Sequence, residues 1–423
     1  MDHDAVLHAK VLLLDVHRLD LAREVQAYRT LLEVNPAAYG PKLARALVRT
    51  THGAALRELP GVRLELTEEA LTALAGLSEA DRLRDGLLPH VLDAHQRELC
   101  AVGRRPEALA VRARLLAMGR SAAGAQDGPP GGLAGWADGL AEEQRHREAA
   151  EAYAEIVRCD RTADRPENPA TVIALAAQWE AAGRLDAALD ALDVLVDRQR
   201  AEAGPWPGAM SCLLYTLLHR ARLLDAHGRA GQAAAARAEA LGLLTHLSGS
   251  RGNPFGFRQA EYWATLLALS GRPDEHPAPG EPVPPYGRPP RTWSPDVRER
   301  FRAERASLAA EVEALLPLAG ADPDTHLAAL VTRQRRLLVR AGVDAGAEAG
   351  NGTGRMLDEL LPLFDRAVAL ARRLHALDHP GGPAALARAL TDRATMFTAV
   401  GQYGYALADL RQAPAAGAQP AAR

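Results

Sequence analysis

The chain is short of the residues that most folds and most site chemistry draw on. Of its 423 residues three are cysteine, aromatics make up 4%, and a count along the chain finds two lysines, Lys10 and Lys42, and four asparagines. Cys100, Cys159 and Cys212 stand far apart, too few and too scattered for a disulfide framework or a zinc motif. They read as reduced, small apolar side chains in a cytoplasmic protein. No run of about 18 apolar residues occurs, so no membrane-spanning helix is expected. The N-terminal MDHDAVLHAKVLLLDVH places no basic segment ahead of its short apolar run and does not read as a signal peptide. Sustained Val/Ile/Thr/Tyr alternation, which a sheet needs, is missing as well. The net charge is −3 with both signs interspersed, so there is no basic stripe and a nucleic-acid partner is not expected. Arginine in place of lysine reads as a coding bias rather than phosphate chemistry.

What remains is alanine, leucine and arginine, all strong helix formers. The expectation is an all-α chain. At this length it forms either several domains or one extended solenoid. The stretch AAGRLDAALDAL, at 181–192, places one glycine between two helical patterns. Similar junctions occur at Gly103, Gly228, Gly271 and Gly401, at Gln144 without the glycine, and upstream at Leu19 and Gly61. From 19 to 271 the intervals are 42, 42, 41, 39, 45 and 43 residues, by subtraction along the sequence. A near-constant period of this size is the mark of stacked helical hairpins, since one hairpin cannot bury its apolar faces alone.

The residues around these junctions resemble the tetratricopeptide repeats. Around Gly183 the matching set is Val172, Ala176, Trp179, Ala188 and Leu192; around Gly401 it is Leu390, Ala394, Phe397, Ala406 and Leu410. The units at Gly103 and Gly228 follow with Leu92, Leu99 and Ala108, and with Leu217, Ala221, Leu224 and Ala233. Small residues let paired helices approach, and large ones such as Trp179 wedge toward the next unit. The resemblance departs in length, about 42 residues against a consensus of about 34. The Arg/Ala-rich, long-repeat form is similar to proteins common in high-G+C Gram-positive bacteria. It implies a right-handed α-α superhelix whose first helices line a concave groove. On that geometry the inward positions are Asp93, Arg97, His219, Arg222, Arg258 and Tyr262. The carboxylate-clamp version of the family relies on Lys and Asn in the groove, which this chain nearly lacks.

After Gly271 the pattern breaks. Residues 272–295, RPDEHPAPGEPVPPYGRPPRTWSP, hold nine prolines, which preclude a helix. The segment reads as an extended, semi-rigid connector able to cap the last hairpin. A helix resumes after Ser294 and Pro295. Helical patterns follow, interrupted by VDAGAEAGNGTG, which reads as a flexible insert. The expected organisation is a repeat array at 1–271, a connector at 272–295, a C-terminal helical region at 296–413 and a disordered tail at 414–423. Deleting the connector is expected to leave two halves that fold separately.

Motifs for chemistry are weak. GNGTGR, at 350–355, lacks the strand that a phosphate-binding loop follows. His375 and His379 stand i,i+4, but Pro380 biases His379 out of helical geometry, and the pair reads as a helix C-cap. Glu68/Glu69 and Glu142/Glu143 read as solvated helix-start charges. No nucleophile elbow or cofactor motif is present. The sequence therefore points to a non-enzymatic scaffold without cofactor or metal that binds a protein or peptide partner in a groove. A regulatory array acting on a separately encoded effector and a peptide or small-ligand sensor are the alternatives. The oligomeric state is open.

Overall fold

The computed structural model describes residues 3–15, 20–78, 81–122, 128–204, 206–249, 257–347 and 353–413. Among them there is no strand, and the architecture is all-α, built of antiparallel helical hairpins. In chain order the helices are α1 (His3–Leu12), α2 (Leu21–Leu32), α3 (Pro36–Thr51), α4 (Pro60–Ala75), α5 (Arg82–Ala101), α6 (Arg105–Ala122), α7 (Leu133–Glu142), α8 (His146–Thr162) and α9 (Pro169–Ala181). They continue as α10 (Leu185–Ala203), α11 (Pro207–Ala226), α12 (Ala230–Ser248), α13 (Phe257–Gly271), α14 (Pro295–Ala321), α15 (Pro323–Ala347), α16 (Thr353–Ala376), α17 (Gly382–Ala399) and α18 (Tyr403–Gln412). Three of the early ones open on the signals expected of helix starts. Asp20 and Asn168 accept from backbone N–H groups in the first turns of α2 and α9, and Pro36 follows the cap Asn35 of α3.

The repeat seen in the sequence is present as a repeated turn. Gly183 sits at φ +73°, the left-handed region that ends a helix. There the Arg184 N–H donates to the Trp179 carbonyl at 2.8 Å and the Gly183 N–H to Glu180 at 3.0 Å. The same pair of bonds recurs at Gly103, Gln144, Gly228 and Gly401, with five-residue spans of 2.7–2.9 Å. Gln144 adopts the turn at φ +58° without being glycine. Five residues beyond each turn stands a fully buried alanine: Ala108, Ala149, Ala188, Ala233 and Ala406. The missing Cβ bulk at that register lets the second helix lie against the first.

Two junctions differ from the sequence reading. Gly61 is the second residue of α4, behind Pro60, and the turn lies ahead of it at 52–59. Gly271 ends α13 without starting a hairpin. Leu19 lies outside the described residues, as do GNGTG at 350–354 in its side chains and the tail 414–423.

The chain divides into two compact units, and the division is not the one drawn from the sequence. Unit 1 is 1–139 with Ser294–Asp296; unit 2 is 140–293 with 297–423. The proline-rich segment is no free connector. Its Val283, Tyr286 and Trp293 are buried. Within unit 2 the Val283 N–H donates to the Glu142 carbonyl at 2.9 Å, and Gln178 donates to the Tyr286 carbonyl at 3.3 Å. The strap thus lies against Glu142, α8 and α9, and reaches α13 through the Arg291–Glu261 pair. Glu142, expected in solvent, is fully buried at the end of α7.

Beyond the strap the C-terminal helices return to the same unit. Helix α15 packs on α13, α17 on α11 and α13, and α18 on α12. α15 takes the place of the hairpin partner that the prolines deny to α13. Gly271 faces Val339, Gly342 faces Leu267, and Gly346 faces Ala264, so the two helices run antiparallel at close approach. A Cβ on Gly342 or Gly346 would overlap its neighbour. The residues read as a flexible insert, Val343–Ala347, are the last turn of α15.

Candidate functional site

Helix α11 is apolar over most of its circumference. Met210, Leu213, Leu214, Leu217, Leu218, Leu223 and Leu224 are all buried, so it runs through the middle of unit 2 instead of lining a surface. α12, α13, α15, α17 and α18 stand around it and leave a cavity of about 390 Å³. Its apolar wall comes from Leu218, Ala221, Leu266, Leu267 and Leu410, with Trp263 beside them. Four arginines, Arg222, Arg237, Arg335 and Arg388, and two aspartates, Asp225 and Asp392, complete the lining.

One face of α11 carries polar groups with unspent bonding capacity. Tyr215, His219 and Arg222 stand at i, i+4 and i+7, which is one side of a helix, and all three line the cavity. The Tyr215 hydroxyl is buried and makes no hydrogen bond among the described residues. His219, between them, is 6% exposed. Arg222 buries Nε and Nη2 without a hydrogen bond. Leaving such a buried group unpaired costs about 1–3 kcal/mol, and Tyr215 and Arg222 place two of them on one row of a wall with no other role.

The electrostatics sharpen the contrast between the arginines. Arg335 donates to Asp392 at 2.9 Å and to the Ser270 hydroxyl at 3.0 Å, and pairs with Asp274. Burial opposes its charge, yet the two carboxylates outweigh burial and raise its pKa. Arg237 pairs with Asp225. Arg222 has only Glu180, at 3.5 Å, and Glu180 already meets Arg272 at 2.8 Å. Two guanidinium groups thus share one carboxylate. Burial, with Arg272 and Arg335 nearby, pushes the Arg222 pKa down despite Glu180. Burial, and then Arg222 and Arg272, holds His219 well below the usual imidazole range, so it is neutral.

The six residues expected in a groove fall in both units. Asp93 and Arg97 are exposed on α5 in unit 1 and pair with each other at 2.9 Å. His219 and Arg222 are brought together at the cavity of unit 2. Tyr262 turns inward on α13, where its hydroxyl meets Gln199 at 2.9 Å and Thr216 at 2.7 Å. Arg258 lies on α13 with its side chain outside the described residues. Tyr215, Arg237, Arg335, Arg388 and Asp392 were not singled out in the sequence. The i, i+4, i+7 spacing of Tyr215, His219 and Arg222 was the signal available, but only the folding back of α15, α17 and α18 makes it a wall.

Groups that would suggest chemistry are otherwise accounted for. His375 is exposed, while His379 lies beyond the end of α16 and accepts the Gly381 N–H at 3.1 Å. Among the described residues no three His, Cys, Asp or Glu side chains are placed to hold a metal. Burial pushes the Cys212 thiol up to about 12, so it is no nucleophile at neutral pH. A second cavity of about 170 Å³ lies by the strap, where Glu275 meets Arg340 at 2.6 Å and Arg336 at 3.0 Å. Arg340, 2% exposed, lies 3.8 Å from the Phe301 ring centre. Each of these guanidinium groups also meets Glu304, so two arginines face two carboxylates there. No helix among the described residues is long and apolar enough to cross a membrane.

No family model matches the chain, and no curated protein matches it. A chain of the solved structure described as "Structure of Naa15/Naa10 bound to HypK-THB" is similar at 14% identity and a TM-score of 0.35. The match covers 96% of this chain and 58% of the other, so the chain spans little more than half the length of that protein. A likeness this distant assigns neither fold nor function.

Proposed function

We propose that the chain is a non-enzymatic interaction scaffold of the tetratricopeptide-like kind, and that unit 2 seats a short apolar segment of a protein partner. The observation that carries this reading is the cavity around α11, with its aliphatic wall and its row of unspent polar groups. Such a combination of apolar lining and a few polar groups is what binding cavities have in common. The partner segment is a peptide or helix that puts apolar side chains against the Leu218, Leu266, Leu267 and Leu410 wall. No nucleic acid is invoked, because the cavity is apolar and no basic stripe accompanies it.

The test is selection of a displayed random peptide library against the intact protein and against Ala384→Trp. Ala384 is half-buried on the α17 wall of the cavity, and an indole there takes up its space. Peptides retained by the intact chain and lost by the variant support the reading. Equal retention by both, or no retained peptide, overturns it.

A further inference from the structure

We infer that the α11 end of this cavity binds a carboxylate carried on a short aliphatic body, with Arg222 as the anion's partner and His219 beside it. The inference rests on the cavity being a binding site and names the chemistry of what enters. Three observations lead to it. First, the charge at Arg222 is incompletely answered: Glu180 stands 3.5 Å away and is held closer by Arg272, at 2.8 Å. Arg335, by contrast, has two carboxylates and a serine to itself, and Arg237 has Asp225. Arg388, 46% exposed with Asp274 at 3.8 Å, is already answered by solvent, so among the buried arginines of the wall an added anion gains most at Arg222. Second, Arg222 and His219 are one helical turn apart on one face and both line the same space. A guanidinium with unspent N–H groups and a neutral imidazole with one N–H suit the two oxygens of a carboxylate. Third, Leu218, Leu266, Leu267 and Leu410 form the remaining wall, so the rest of the ligand is aliphatic. A phosphate fits less well. It carries more charge than one shared arginine answers, and Asp225 and Asp392 on the wall would repel the excess.

The same chemistry has two sources, a free branched-chain acid and the C-terminus of a peptide ending in an aliphatic residue. Equilibrium titration of the intact protein separates them with three probes: 4-methylpentanoic acid, its amide, and the tripeptide Gly-Gly-Leu with a free carboxylate. The acid is expected to bind at least about tenfold more tightly than the amide, the difference one charge-assisted hydrogen bond makes. In Arg222→Gln that discrimination disappears, while in Arg222→Lys, which keeps the charge, part of it returns. Retention of the melting temperature in both variants separates loss of the anion partner from loss of the fold. Tighter binding of the tripeptide than of the free acid assigns the source to a protein terminus; the reverse assigns it to a small metabolite. Acid and amide binding equally, with both lost in Ala384→Trp, overturns the carboxylate and leaves the cavity reading standing. Undiminished discrimination in Arg222→Gln also overturns the carboxylate assignment. Binding that Ala384→Trp leaves untouched, or no binding of any probe, overturns both.

Discussion

Gly183 and Gly287 both hold a positive φ, at +73° and +91°, yet they will not tolerate a methyl group equally. At Gly183 nothing stands within 4 Å of an added Cβ, so Gly183→Ala meets only the left-handed backbone penalty, about 1–2 kcal/mol. At Gly287 the added Cβ would lie 2.6 Å from Ala174 Cα and 2.9 Å from the Ile173 carbonyl, both backbone atoms. Gly287→Ala should therefore cost more than about 3 kcal/mol in urea unfolding, the strain of the turn plus an overlap that no rotamer relieves. Equal losses would mean the strap does not approach α9 this closely. The first glycine was legible in the sequence because its constraint is local. The second was not, because the atoms that require it are more than a hundred residues away. The tryptophans divide in a similar way. Trp179, expected as a wedge, is half-buried with Arg184 over its ring at 5.7 Å, whereas Trp263 is 1% exposed and donates to Thr395 at 3.1 Å. Trp263→Ala should cost about 3–5 kcal/mol and Trp179→Ala roughly half of that or less, and chemical denaturation of the two variants ranks them.

At the scale of elements, the sequence marks well where a helix ends and poorly what it packs against. The turns at Gly103, Gln144, Gly183, Gly228 and Gly401 are present because each depends on a few consecutive residues. The partnership of α13 with α15 depends on Gly342 and Gly346, which look like loop glycines until Leu267 and Ala264 are placed against them. The strap is the other case. Nine prolines exclude a helix, but they say nothing about whether the extended chain is solvated or packed. Replacing 277–290 with a Gly/Ser linker of equal length should therefore not free two folding halves. It should uncover α8 and α9 and remove Val283 and Tyr286, each worth about 1.5–3 kcal/mol of burial. The expected fall in the melting temperature of unit 2 is about 10 °C or more. A linker that leaves the transition in place would restore the reading of this segment as a passive connector. The candidate site inherits the same limit: α11 supplies its polar row within eight residues, but α15, α17 and α18 close it only through long-range packing.

For the whole molecule, the buried imidazoles set a common response to acid. Burial is the leading cause that lowers the pKa of His95 in unit 1, and of His146 and His219 in unit 2. In the unfolded chain these side chains take a proton near pH 6.5; in the folded chain they resist it. The unfolded state then binds more protons, so this stability is full above about pH 6.5 and drains away as the pH falls below it. Carboxylates contribute in a lower window. Glu275, whose charge burial opposes but Arg340 and Arg336 hold, has a lowered pKa, so its contribution is present above about pH 4.5 and lost beneath. The interval between about pH 6.5 and 5 therefore belongs to the histidines. Unit 2 holds two of the three, including the most deeply buried, and also four of the five tryptophans, Trp179, Trp206, Trp263 and Trp293. Thermal unfolding followed by tryptophan fluorescence thus reports mainly on unit 2. Its midpoint should fall by several degrees between pH 7.5 and 5.5, and His219→Gln should flatten much of that fall, since an amide has no proton to gain. A midpoint that stays level over this range, or one that falls equally in His219→Gln, would mean that His219 is not held neutral against Arg222 and Arg272. The uncompensated charge on the cavity wall would then have to be relocated.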